Sequence, residues 1–265
     1  MLILLLAGPC LHAALKWEQR DGYRVAKLDV PAQGHSGFTS LAPAQTGIQF
    51  TNQLNYDRSQ ANQNLLNGAG LAAGDFDGDG LCDLYFCNLE GANGLFRNKG
   101  NWTFENVTSR SGTACTNQTS RAAVFADIDG DGDLDLLVSS LGGPNACLLN
   151  DGKGNFKDVT EAAGLKLKAG CHSMALADID GDGDLDLYIA NNGEISILRS
   201  GGAIAVREVN GKPVISGRAG QRLRIIDGAM IELGEPDAFY LNNGNGTFAR
   251  LSWTDGRFLD DAGQP

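Results

Sequence analysis

A chain of 265 residues with 42 % apolar residues can bury one large core or two ordinary ones, and its formal charge of −11 argues against nucleic acid or an anionic membrane as the main partner. Its 36 glycines are spread along the chain, which suits an all-β fold with many tight turns.

The N-terminus, MLILLLAGPCLHAALKW, carries a short apolar run and then small residues. This resembles a secretory signal peptide over residues 1–14, cleaved after Ala13 or Ala14, although the usual basic residues are missing. The run is too short to cross a bilayer, so no transmembrane span is expected. The expected product is exported: extracellular, periplasmic or held at the cell surface. Residues 15–67 form an N-terminal segment. Within it SGFTSLAPAQTGIQFTNQLN (36–55) is expected to give one or two strands that complete a sheet begun at the other end of the chain.

From residue 68 the sequence repeats. DFDGDGLCDL at 75–84, DIDGDGDLDL at 127–136 and the identical DIDGDGDLDL at 178–187 start about fifty residues apart. A short apolar strand precedes each tract (GLAAG, AAVFA, SMALA) and another follows it (LYFCN, LLVSS, LYIAN). A hairpin comes next, in GLFRNKGNWTFENVT, CLLNDGKGNFKDVT and FYLNNGNGTFARLSW, each with an Asn/Gly-rich turn. Four short antiparallel strands per repeat is the make-up of a β-propeller blade. The units read as 68–120, 121–171 and 172–255, about three blades and therefore an incomplete propeller. The third is interrupted at about 199–236 by two hairpins around Asn210-Gly211 and Asp227-Gly228. That insertion holds Arg199, Arg207, Lys212, Arg218, Arg222 and Arg224, either a recognition surface or charges that solubilise exposed strand edges. Residues 256–265 read as the start of a continuation, so the rest of a longer propeller chain is expected to be missing; the other way to close a ring is several copies.

The three tracts hold 14 of the 32 acidic residues. Alternate positions place oxygens at Asp75, Asp77, Asp79, Leu81 (through its carbonyl) and Asp83. The same positions are Asp127, Asp129, Asp131, Asp133 and Asp135 in the second tract, and Asp178, Asp180, Asp182, Asp184 and Asp186 in the third. Ca²⁺ takes six to eight hard oxygens in flexible geometry, so about three Ca²⁺ sites are expected. Three such ions would reduce the formal charge from −11 to −5. An EF-hand is excluded because its twelfth position must be a bidentate Glu that opens a helix; here that position is Phe86, Val138 or Ile189 in a β-type run. Mg²⁺ keeps its waters, and zinc would require His or thiolate ligands.

These residues resemble FG-GAP/VCBS repeats, the calcium-loop blades of integrin α-type β-propellers. The flanks NDGKGNFKDVTEAAGL and NNGNGTF look like exported bacterial ASPIC/UnbV (cartilage acidic protein-like) proteins. The resemblance covers about residues 37–255. It implies structural calcium at the blade periphery, away from a ligand-binding face.

No catalytic constellation accompanies the loops. GHSGF (34–38) lacks the second glycine of a nucleophile elbow, and GAGLAA (68–73) leads into an Asp loop instead of a helix. His172 reads as a surface or hydrogen-bonded histidine. After loss of Cys10, Cys82, Cys87, Cys115, Cys147 and Cys171 allow up to two disulfides or free buried thiols. The reading is an exported, calcium-stabilised β-propeller module, not an enzyme, that binds a protein or a carbohydrate. Its alternative is a fragment of an extracellular enzyme, such as a polysaccharide-active one, with catalytic residues outside this chain.

Overall fold

Strands form where short apolar runs are bounded by Gly, Asn and Asp, and the chain is mostly strand with few helices. The computed structural model describes residues 16–27, 38–194, 196–198, 204–216, 220 and 222–252. The expected signal peptide and the continuation at 256–265 lie outside them. The chain divides into two units, residues 1–41 and 42–265. In the first, β1 (Trp17–Arg20) and β2 (Tyr23–Ala26) pair antiparallel across Gly22, and the Arg24 guanidinium lies 5.0 Å from the Trp17 ring centre.

The second unit opens with α1 (Pro43–Thr46), α2 (Tyr56–Ala61) and a 3₁₀ turn at Gln63–Asn67. The strands expected at 36–55 are absent among the described residues 38–55. Pro43 starts a helical turn, the Gln45 side chain accepts from the Ala42 N–H, and Gly47 ends the turn at φ +76°. A Cβ on Gly47 would stand 2.7 Å from the Phe104 carbonyl oxygen, so no other residue fits there. Phe50 then stacks on Phe86 (5.2 Å between ring centres) and meets Phe96 edge-on. The segment covers its part of the first repeat with an aromatic ring, not with strand hydrogen bonds.

Three four-stranded antiparallel meanders follow. The first is β3 (Leu71–Gly74), β4 (Asp83–Phe86), β5 (Gly94–Asn98) and β6 (Phe104–Asn106). The second is β7 (Ser120–Ala126), β8 (Asp135–Pro144), β9 (Ala146–Asn150) and β10 (Phe156–Asp158). The third begins with β11 (Lys168–Ala177) and β12 (Asp186–Asn191). Two separate hairpins intervene, β13 (Val206–Val209) with β14 (Lys212–Ile215) and β15 (Leu223–Ile226) with β16 (Ala229–Glu232). The meander is then completed by β17 (Ala238–Asn242) and β18 (Phe248–Leu251). Asn210 and Asp227 both take positive φ ahead of a glycine, the turn that the sequence signals. The start of β11 also pairs with the end of β8, which joins the second and third meanders in one sheet.

Strand periodicity supplies two cores. On β8, Leu136 and Val138 face the first meander, packing with Tyr85, Leu95 and Phe76, while Leu137 faces the third with Leu187, Ile189 and Tyr240. A sheet covered on both faces by its neighbours is the packing of adjacent propeller blades, and this all-β arrangement fits a β-propeller. Between repeats the backbone also pairs, Gly70 N–H with the Arg121 carbonyl and Ser120 N–H with the Asn88 carbonyl.

Of the insertion's cations, Arg199 and Arg218 lie outside the described residues. Arg222 turns inward, donating to Glu232 (3.1 Å), Glu235 (3.4 Å) and the Asn192 and Leu233 carbonyls. No disulfide occurs among the described residues. Cys87, Cys147 and Cys171 pack as small apolar groups, and burial pushes their thiols up to about 12, 12 and 11, far from nucleophilic use.

Candidate metal centre

Each Asp tract is a loop between the first two strands of a meander, with glycines at φ +69° to +100° supplying its sharp winding. The chain after each loop continues as a strand, so the EF-hand exclusion stands. Of the five expected ligand positions, three converge. Carboxylate oxygens of Asp75, Asp77 and Asp83 lie within 4.8 Å of one another, as do those of Asp127, Asp129 and Asp135, and of Asp178, Asp180 and Asp186. These are positions one, three and nine.

The remaining positions are placed otherwise. At position five, Asp131 and Asp182 each accept from the backbone N–H two residues on, at 2.9 Å, and Asp79 accepts from Leu81 at 3.0 Å. At position seven, Asp133 and Asp184 lie against Gly152 and Gly244 of the following hairpin turn. A Cβ on either glycine would come within 2.4 Å of the carboxylate. In the first repeat position seven is Leu81, and Gly100 in the matching turn has open space around it.

Position nine is the structural centre. Asp83 and Asp135 are 0 % exposed and Asp186 is 1 % exposed. One oxygen of each accepts from the position-two N–H (Phe76 3.1 Å, Ile128 3.0 Å, Ile179 3.0 Å). The other accepts from an asparagine N–H at the end of the meander's third strand (Asn98 2.7 Å, Asn150 2.8 Å, Asn242 2.9 Å). Burial pushes the carboxyls of Asp83 and Asp135 up to about 6, the backbone N–H groups pulling back only part of that shift. Asp129 and Asp180 are also raised, by burial and then by the neighbouring carboxylates.

The asparagines were legible only as turn formers, and their main role is different. The Asn150 amide donates to the Phe76 carbonyl (2.7 Å) in the first repeat's loop, and Asn242 donates to the Ile128 carbonyl (2.9 Å) in the second. The first and second Asp loops are therefore each tied to the next meander at position two, while the Asn98 amide donates to the Cys82 carbonyl of its own loop. The recurrence of Asn98, Asn150 and Asn242 was the available signal.

The first loop has a resident cation. Arg97 on β5 forms ion pairs with Asp77 and, at 2.9 Å, with Asp79. The paired-strand register puts Leu149 and Leu241 at that place in the other repeats. Arg97→Leu is expected to raise the calcium affinity of the weakest site about fivefold, matching ~1 kcal/mol for a pair of this exposure. Calorimetric titration checks it, and an unchanged weakest site would refute competition by Arg97.

Hard oxygen donors, three carboxylates with oxygens within 4.8 Å of one another and the unmatched buried Oδ1 of Asp77 fit a divalent cation such as Ca²⁺. Comparison with known sequences agrees with the geometry. The FG-GAP-like repeat matches residues 75–138 and 128–189. Cartilage acidic protein 1 of Xenopus tropicalis is 29 % identical over 127 residues, 47 % of this chain and 20 % of that protein. The proteins of the same name from Mus musculus and Homo sapiens are 26 % identical over 151 residues, 56 % of this chain and 23 % of each. The chain thus spans 20–23 % of the length of these curated relatives. Loops, strands and comparison point the same way: residues 75–189 of this chain match the FG-GAP-like repeat.

Proposed function

We propose that this chain is an exported β-propeller binding module, not an enzyme, whose Asp loops each hold one structural Ca²⁺ and whose ligand is a protein or a carbohydrate. The observation that carries the metal assignment is the convergence of three carboxylates in each of three loops, which like-charge repulsion opposes unless a cation sits among them. The ligand set proposed is Asp75, Asp77, Asp79, Leu81 and Asp83 with their counterparts in the second and third loops. Positions five and seven would have to turn toward the ion from the partners described above. The FG-GAP-like match supports a binding role, and the similarity to cartilage acidic protein 1 supports export. The described residues include no helix long and apolar enough to cross a membrane.

Calorimetric titration with CaCl₂ is expected to give about three sites, on the order of 10⁻⁴ to 10⁻³ M. Replacing Asp127 and Asp129 together by Ala should remove one site and leave the others titratable. Full stoichiometry in that variant would sink the assignment of the second loop.

A further inference from the structure

A cleft of about 260 Å³ opens beside the C-terminal end of β12, whose other end carries Asp186 of the third aspartate loop. Its walls come from distant parts of the chain. One is the 3₁₀ turn Gln63–Asn67, and the other is the run that follows β12 together with β16 and Leu233. The buried Asn62 ties the two. Its Oδ1 accepts from Asn64 N–H (3.0 Å), and its Nδ2 donates to the Glu194 carbonyl (2.6 Å), 132 residues away.

The charges in the cleft are already paired. Glu232 accepts from the Ser196 hydroxyl (2.7 Å), from the Ile197 N–H (2.8 Å) and from Arg222 (3.1 Å). Arg222 also pairs with Glu235 and donates to the Asn192 and Leu233 carbonyls, so its charge and most of its N–H groups are used. Gly193, at φ +143°, runs beneath this guanidinium, where a Cβ would stand 2.3 Å from Nη2. The floor is therefore fixed and offers neither a free cation nor a free carboxylate. The side-chain amides of Gln63, Asn64 and Asn192 differ: they line the cleft and have no hydrogen-bond partner among the described residues. Beside them Leu233 presents an exposed apolar side chain.

We propose that this cleft binds one neutral pyranose ring of a carbohydrate, an assignment that deepens the binding-module reading above and rests on it. A ring hydroxyl both donates and accepts, and so does a side-chain amide. Adjacent hydroxyls lie side by side, so one ring can engage the three amides at once while its C–H face packs on Leu233. A peptide group points its donor and its acceptor in opposite directions and matches one amide at a time. A phosphate, sulfate or carboxylate would meet no unpaired cation, and a metal ion no unpaired carboxylate. The volume falls below the roughly 300–1,000 Å³ of sites for drug-sized ligands, which suits a single ring. The site shares no residue with the aspartate loops.

The test is an NMR titration of the ¹⁵N-labelled, calcium-loaded chain at pH 7.5 with the methyl glycosides of D-glucose, D-galactose and D-mannose. The amide signals are assigned by their loss in Gln63→Ala, Asn64→Ala and Asn192→Ala. At least one glycoside is expected to shift the three amides saturably, with a midpoint in the millimolar range. The double variant Asn64→Ala/Asn192→Ala should raise that midpoint at least about fivefold and leave the calcium stoichiometry unchanged. D-glucuronate should bind no more tightly than the best neutral glycoside. No saturable shift with any of the three glycosides overturns the proposal, as does an unchanged midpoint in the double variant or tighter binding of glucuronate. An equal response to N-methylacetamide overturns it in favour of a peptide. An array of immobilised glycans separates this proposal from the reading beneath it. A glycan held equally by wild type and double variant keeps the binding module and overturns the cleft, whereas loss of retention in the variant supports both.

Discussion

Asp135→Ala is expected to destabilise the calcium-free protein by about 2–4 kcal/mol, the largest effect of a single substitution in the aspartate loops. The side chain is fully buried and accepts from Ile128 N–H and Asn150 N–H. Truncation leaves two buried donors unmatched, at about 1–3 kcal/mol each, and relief of the buried charge returns part of that cost. Asp135→Asn keeps one acceptor oxygen and should fall between wild type and Ala. Asp131→Ala, at an exposed position of the same loop, should stay within about 0.5 kcal/mol in the absence of calcium. Urea unfolding in EDTA measures all three, compared at unchanged m-value. Equal losses at 131 and 135 would show that the ninth position is not the latch of the loop.

Calcium should move stability further than any substitution. At about 10 mM Ca²⁺ and a Kd on the order of 10⁻⁴ M, each site adds ~2.7 kcal/mol, so three sites add ~8 kcal/mol. For a chain of this size that is on the order of 20 °C in Tm between calcium and EDTA. The pH dependence should differ between the two conditions. Asp83 and Asp135 are raised to about 6 in the metal-free fold, against about 3.9 for an unfolded Asp. Between those values the folded chain holds more protons than the unfolded one. Their contribution to metal-free stability is therefore full below about pH 4 and is lost as pH rises through about 6. Protons and Ca²⁺ compete for the same oxygens, so calcium stabilisation should shrink as pH falls below about 6. Scanning calorimetry at pH 5 and 7.5, with and without EDTA, reads both trends. The same calcium increment at both pH values would separate these carboxylates from the metal site.

How much of this was legible follows from which signals are local. The Asp tracts declare themselves by identity and period, and the strands beside them follow from apolar runs between turn residues. The two inserted hairpins were legible because Asn-Gly and Asp-Gly force a positive φ that few other residues accept. Residues 36–55 misled because β-type composition there serves a ring contact: Phe50 reaches Phe86 and Phe96 only once the first meander exists. Within the loops, alternation assigns five equivalent oxygens, whereas depth in the fold divides them. Asp135 is buried, Asp131 faces solvent and Asp133 lies over Gly152. Arg97 and Asn62 are single residues with no motif, and their meaning depends on partners far along the chain.

The bond from Asn150 to the Phe76 carbonyl, repeated from Asn242 to Ile128, has a consequence for how such a chain grows. A unit that bears the asparagine at one border and the receiving carbonyl at the other is a cassette with matching ends. Tandem duplication of the coding segment then yields a neighbour that docks without new mutations at the junction. The identical DIDGDGDLDL in the second and third loops is the trace such copying would leave.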